Sequence, residues 1–260
     1  MEMRLEAAKR IAEEAGQLGM RFFSEIDALN ISSKGHQDFV SNADLSVETF
    51  IREQIAAHFP EDGIIGEEHA PKPSRSGWNW VIDPIDGTAN FVRGLPQWCV
   101  IIALVHEDAT QIGVIHDPNV SETHWVCRGG GAFCNDRPIR VSSSQSITEG
   151  SVGIGFNRRS PAKNVCSLLT ELVEQGGVFY RNASGGLMLS YVASGRLLGY
   201  TEPHMNPWDC LAGQLLIKEA GGALNKLSAD EMLAHGGRVV AACPGVFDTL
   251  LDLSERHFSP

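Results

Sequence analysis

Between residues 2 and 23 apolar side chains recur at three- to four-residue intervals, with Leu5, Ala8, Ile11, Ala12, Ala15, Leu18 and Phe22 on one face and charges between them. This spacing predicts an amphipathic opening helix. Ser32 to Asn42 is polar around Gly35 and reads as a loop. A second helix is expected from Asp44, with Val47, Phe50, Ile51 and Ile55 on one face, and it ends before Pro60. From Gly63 the pattern shortens to strand-length runs: Ile64 and Ile65, Trp78 to Ile82, Val100 to His106, Gln111 to Ile115, and Glu122 to Cys127 before the turn Gly129-Gly130-Gly131. These predict an antiparallel meander and an α+β first half. Beyond the polar stretch Ser142 to Gly150, strands at 152–155, 178–180, 198–201, 223–224 and 239–242 alternate with helices over 162–175, 186–194, 207–220 and 244–253. That alternation predicts an α/β second half, with the chain divided into 1–145 and 146–260.

Composition narrows the function classes. A chain of 260 residues with 43% hydrophobic and 20% charged side chains is neither disordered nor fibrous. Its 21 Lys+Arg against 32 Asp+Glu give a net charge of -11, which argues against nucleic acid as a main partner because duplex binding needs a basic face. Phosphate remains accessible to such a chain if divalent cations are recruited first. The longest clearly apolar run, Trp98 to Val105, is far short of the roughly 20 residues of a membrane span. Glu2, Arg4, Glu6, Lys9 and Arg10 leave no apolar signal-peptide region near the start, so a cytoplasmic location is expected. The six cysteines include no C-x-x-C pair and the nine histidines no H-E-x-x-H, which disfavours a zinc enzyme.

The chemistry concentrates in WNWVIDPIDGTANF, residues 78 to 91. A strand delivers Asp83 at its C-terminal end, Pro84 interrupts the ladder, and Asp86 follows on the turn into Gly87-Thr88. Two close carboxylates stay ionised at neutral pH only with a cation between them. An oxygen-only donor set, which the Ile85 carbonyl is placed to join, points to Mg²⁺ or Mn²⁺. The N–H groups of Gly87 to Phe91, at a helix start, suit phosphate oxygens, although an ordinary D-G turn would account for the same residues. Glu67 also follows a short apolar strand, Asp44 stands where a carboxylate caps a helix, and Asp209 lies in an N-cap, Pro, first-turn acid sequence, Asn206-Pro207-Trp208-Asp209. Each of the three has an ordinary structural explanation when taken alone.

Together, GEE, DPIDGTANF and PWDCLAG before Gly221-Gly222 resemble the inositol monophosphatase family of Mg²⁺-dependent, lithium-sensitive phosphatases. Lys34 to Asp44 is similar to its mobile-loop motif, Gly131 to Ser142 to its central hairpin, and Leu187 to Leu198 to its substrate-side helix. The resemblance implies a layered αβαβα sandwich of the sugar phosphatase type and a homodimer. It implies a first metal at Glu67, Asp83 and the Ile85 carbonyl, a second at Asp83, Asp86 and Asp209, and a third, weaker ion at Glu67. It makes Thr88 and Asp44 the pair that orients the attacking water, and Gly87 and Thr88 the phosphate-binding groups. Glu202 stands where inositol-hydrolysing members grip ring hydroxyls, and Asn206 where animal inositol enzymes commonly have His. The expected substrate is a small polyol or sugar phosphate, inositol 1-phosphate first. Histidinol phosphate, fructose 1,6-bisphosphate and a regulatory binding role on the same scaffold are the alternatives.

Overall fold

The computed structural model describes residues 1–26, 29, 31–35, 38–157, 159–226 and 228–258, and of 31–35 and 38–40 the backbone alone. The opening helix α1 is Glu2–Ser24, as its periodicity predicts. The polar stretch after it is not simply a loop: β1 (Ile31–Gly35) and β2 (Asp38–Ser41) pair antiparallel. A two-stranded ribbon needs no apolar alternation when its backbone is satisfied locally, which is why pattern alone missed it. Residues 36 and 37 of the loop-like motif fall outside the described set. Helix α2, Asn42–His58, starts two residues earlier than its first carboxylate suggested, because Ser41 caps it in a capping box with Asp44.

A seven-stranded sheet follows in the order β3-β4-β5-β6-β7-β8-β9. Its strands are β3 (Gly63–Gly66), β4 (Trp78–Asp86), β5 (Cys99–His106), β6 (Ala109–Asp117), β7 (Glu122–Cys127), β8 (Ala132–Cys134) and β9 (Arg137–Pro138), with the short helix α3 (Thr88–Phe91) after β4. The meander is antiparallel from β4 onward, but β3 and β4 run parallel. The second sheet has the order β11-β10-β12-β14-β13. It comprises β10 (Ser151–Ile154), β11 (Val178–Tyr180), β12 (Gly199–Met205), β13 (Ala223–Leu224) and β14 (Gly237–Ala242). Helices α4 (Ala162–Glu174), α5 (Gly185–Ala193), α6 (Pro207–Glu219) and α8 (Pro244–His257) alternate with these strands. A further short helix, α7 (Ala229–His235), had no clear signal in the sequence pattern.

Strand alternation explains the layering. On β4 and β5, Trp80, Ile82, Val100, Ile102 and Leu104 pack toward Ile11 of α1 and Val47 of α2, while Val81, Ile101 and Ala103 pack toward Leu187 of α5 and Leu211 of α6. On β14 the same rule sends Val239 and Ala241 to the α5–α6 layer and Val240 and Ala242 to Leu168 of α4 and Leu250 of α8. Helix pair, sheet, helix pair, sheet, helix pair is the αβαβα sandwich. Among the described residues no helix is long and apolar enough to cross a membrane.

Candidate active site

Register brings the acids together. The parallel pairing of Gly66 with Ile82 makes Glu67, just past the end of β3, and Asp83, within β4, the next residues along neighbouring chain segments. Asp83 and Asp86 are an odd number of residues apart and would face opposite sides of a regular strand. Three steps along β4 from Asp83 to Asp86 match two along β5 from Ile101 to Cys99, so β4 carries a bulge between Asp83 and Asp86. The extra residue turns Ile85 into the α1–α2 core and returns Asp86 to the α5–α6 side. The strand thus continues through Pro84 to Asp86, whereas the sequence pattern has Asp83 at its C-terminal end and Pro84 interrupting the ladder.

Helix α6 contributes the third carboxylate. Pro207 takes the first helical position, and Asp209 accepts a hydrogen bond from the Asn206 N–H at 3.0 Å. Donor atoms of Asp83, Asp86 and Asp209 all lie within 4.8 Å of one another, with Asp83 and Asp86 buried. Burial, reinforced by the charges of Glu67, Asp86, Asp209 and Asp44, pushes the Asp83 carboxyl well above the ordinary carboxylate range. Burial and the Asp86 charge push Asp209 up to about 8. A hard divalent cation relieves both effects, and the oxygen-only donor set fits one.

Asp86 is held by groups that sequence reading did not anticipate. Its Oδ2 accepts from Ser184 Oγ at 2.5 Å and Gly186 N at 2.7 Å, and its Oδ1 from Gly185 N at 3.2 Å. The carboxylate therefore sits at the N-terminus of α5, where peptide dipoles favour negative charge. Burial raises its pKa while these donors oppose the rise. Glu48 plays the corresponding part under Glu67: fully buried on α2, it accepts from Glu68 N at 2.7 Å, His69 N at 3.2 Å and Arg52 Nε at 2.7 Å. Gly66 leaves room for it, since a Cβ there would meet Glu48 Oε1 at 2.2 Å. A buried acid on a helix face opposite a glycine is a signal the sequence carries only once the pairing is known.

Thr88 opens α3 behind Gly87, whose φ of 98° and close approach to the Gln97 carbonyl admit only glycine. The Thr88 hydroxyl lies 3.2 Å from Asp44 Oδ1 and 3.1 Å from the Ile85 carbonyl, and its single proton can serve one acceptor at a time. Asp44 Oδ2 accepts from both Ser41 N at 2.8 Å and Ser41 Oγ at 2.7 Å, and burial raises its pKa against these bonds.

A cavity of about 150 Å³ adjoins the acids, lined by Asp86, Arg181, Ser184, Tyr200, Glu202 and Asp209 among others. Glu202 accepts hydrogen bonds from the Tyr200 hydroxyl and, at 3.0 Å, from Asn157 Nδ2. Burial raises its pKa, opposed by these donors and by Arg181. Asn206 does not line this cavity: its amide reaches Asp209 at 3.2 Å and its carbonyl accepts from Arg159 at 3.0 Å. A wider hollow of about 900 Å³ over Arg159, Lys163, His204 and Arg238 contains none of the clustered acids.

The family model described as "Inositol monophosphatase family" matches residues 1–257. An inositol-1-monophosphatase of Mesorhizobium japonicum is 36% identical, with 98% of this chain and 97% of the relative covered. The Nus factor SuhB of Haemophilus influenzae is 35% identical over 97% of this chain and 96% of the relative. Among solved structures, the Thermotoga maritima IMPase superposes with a TM-score of 0.87 at 30% identity, covering 98% of both chains.

Proposed function

The chain belongs to the inositol monophosphatase family, and from that premise we propose that it is a Mg²⁺-dependent phosphomonoesterase acting on a small polyol or sugar phosphate, inositol 1-phosphate first. The observation that carries the proposal is the convergence of Asp83, Asp86 and Asp209 within 4.8 Å, beside the Thr88–Asp44 pair. We assign Glu67, Asp83 and the Ile85 carbonyl to one ion, Asp83, Asp86 and Asp209 to a second, and Glu67 to a third and weaker one, with Mn²⁺ as the substitute cation. When bound, the cations supply Lewis acidity, neutralising phosphate charge and making a water more acidic.

The chain's own groups do the rest. Thr88 Oγ accepts a hydrogen bond from the attacking water and donates its own proton to Asp44, fixing the water's orientation. The N–H groups of Gly87 and Thr88 hold the phosphate oxygens opposite that water. The leaving alcohol enters the cavity at Glu202, whose oxygens keep acceptor capacity beyond the bonds from Tyr200 and Asn157. The small cavity, about 150 Å³ and lined by Asp86, Asp209 and Glu202, together with the acceptor oxygens of Glu202, supports a small, polyhydroxylated alcohol. Histidinol phosphate and fructose 1,6-bisphosphate remain the alternative substrates.

A second copy of the chain is the expected partner; exposed Val178, Phe179 and Tyr180 on the edge strand β11 give an apolar edge for it. The six free cysteines favour a reducing compartment, in keeping with the cytoplasm. The naming of several relatives as Nus factors favours a second reading, a regulatory binding role on the same scaffold. Phosphate release from a panel of phosphomonoesters, with Mg²⁺ and after chelation, tests the proposal. Mg²⁺-dependent turnover of polyol phosphates is expected, and no release from any member would leave the binding role as the better account.

A further inference from the structure

The β7–β8 hairpin carries a cluster that the proposed reaction does not use. Glu122 and His124 are two apart on β7 and so share a face, and His124 pairs directly with Cys134 on β8. One donor atom from each lies within 4.8 Å of the other two. His124 is fully buried, and among the described residues neither of its ring nitrogens has a hydrogen-bond partner; Nε2 stands 4.0 Å from Glu122 Oε2, too far for a hydrogen bond. A buried imidazole with both nitrogens unsatisfied is unfavourable, so the arrangement calls for a ligand.

We propose that Glu122, His124 and Cys134 bind one Zn²⁺ ion. Carboxylate, imidazole and thiol together are a borderline-soft donor set that suits zinc and disfavours Mg²⁺. Donors of a tetrahedral zinc stand roughly 3.3–3.8 Å apart, so side-chain rotations closing the cluster by about 1 Å are enough. Burial lowers the His124 pKa to about 4, leaving a lone pair on the ring at neutral pH. Burial holds the Cys134 thiol in its protonated form, so the incoming cation displaces that proton to solvent, forming one Zn–S bond for one S–H broken. Arg196 bonds both Glu122 oxygens, at 2.7 and 2.6 Å, which orients the carboxylate and leaves a further lone pair on each oxygen. Three protein ligands leave the fourth position to water.

This site is distinct from the acid cluster. His124 pairs with Ile115, Ile115 with Ile101, and Ile101 with Asp83, so three strand spacings, roughly 14 Å, separate them.

The test is a Co²⁺ titration of the chelator-stripped full chain in excess Mg²⁺, followed by Zn²⁺ displacement, for wild type, Cys134→Ser and His124→Gln. Wild type is expected to bind one Co²⁺ with a thiolate-to-cobalt charge-transfer band that Zn²⁺ abolishes, and to gain melting temperature with Zn²⁺. Cys134→Ser should lose the band, and both variants should bind Zn²⁺ at least ~10–100-fold more weakly, since even outer partners of a ligand matter that much. Unchanged far-UV circular dichroism in the variants establishes that they fold. A band that persists in Cys134→Ser, or Zn²⁺ affinity unchanged in folded His124→Gln, would overturn the assignment.

Discussion

Two regions meet at the proposed active site and are held in different ways. The corner from Asp83 to Phe91 is fixed by backbone: a bulge in β4, a left-handed glycine, and the N-terminus of α5 closing on Asp86 through Ser184, Gly185 and Gly186. From Tyr200 to Met205 the backbone lies in β12, but the polar groups that face the cavity or flank Asp209 are placed by side chains, with Glu202 clasped by Tyr200 and Asn157, and Asn206 held by Arg159. Backbone geometry tolerates little change, whereas side-chain contacts are replaced one at a time. Under the proposed function, the phosphoryl chemistry belongs to the first region and the choice of alcohol to the second, with Asp209 on α6 joining them.

The sharpest way to break this division is at Asp83, the acid shared by both proposed metal sets. Asp83→Asn removes the charge and keeps the volume, so phosphate release should vanish while the fold is retained. Wild-type turnover in the purified variant would place the chemistry elsewhere. Next in size, Thr88→Ala removes the hydroxyl but keeps the N–H assigned to phosphate, and kcat should fall ~10²- to 10⁴-fold with a smaller change in KM. A steep rise in KM at constant kcat would make Thr88 a binding group instead. Asp44→Asn should follow Thr88→Ala if the two act as a pair, but Ser41 also relies on Asp44, so melting temperature must be recorded with turnover.

The smallest effect concerns pH. Asp209 has an ordinary pKa of 3.8 and is pushed up to about 8 in the fold, so between these values the folded chain binds more protons than the unfolded one. Its contribution to stability is therefore fully present below about pH 4 and is lost as pH rises through about 8. Mg²⁺ binds the ionised form, so the Mg²⁺-induced gain in melting temperature should grow from pH 6 to pH 8, as thermal scans at several pH values can show. A gain that shrinks over that interval would contradict the assignment of Asp209 to the cation.

The first region was the more legible in sequence for a physical reason. Asp83, Asp86, Gly87 and Thr88 fall within six consecutive residues, so D-P-I-D-G-T contains much of its own explanation. Apolar periodicity gave most helices and strands of both halves, because core faces leave a period in the chain, whereas their stacking into a layered sandwich came from the family resemblance. What stayed hidden depends on pairing between distant residues. Ser184 on Asp86, Glu48 beneath Gly66 and Tyr200 on Glu202 each look like an ordinary cap, surface acid or core aromatic until the sheets are aligned. The parallel β3–β4 pair was missed because two short strands reveal nothing of their relative direction. The Glu122–His124–Cys134 cluster escaped for the same reason: its ligands meet across a hairpin instead of recurring at a metal-binding interval.

The division itself is tested most directly by one ratio, kcat/KM for inositol 1-phosphate over kcat/KM for para-nitrophenyl phosphate, measured in wild type, Thr88→Ala and Glu202→Gln. Thr88→Ala should lower both values together and leave the ratio unchanged. Glu202→Gln should lower only the inositol value, by about 1.5–3 kcal/mol of transition-state binding, roughly 10- to 150-fold, as charge-assisted hydrogen bonds to hydroxyls are lost. Equal losses on both substrates in Glu202→Gln would mean that Glu202 supports the acid cluster through the 202–209 segment, and the separation of chemistry from alcohol selection would be wrong.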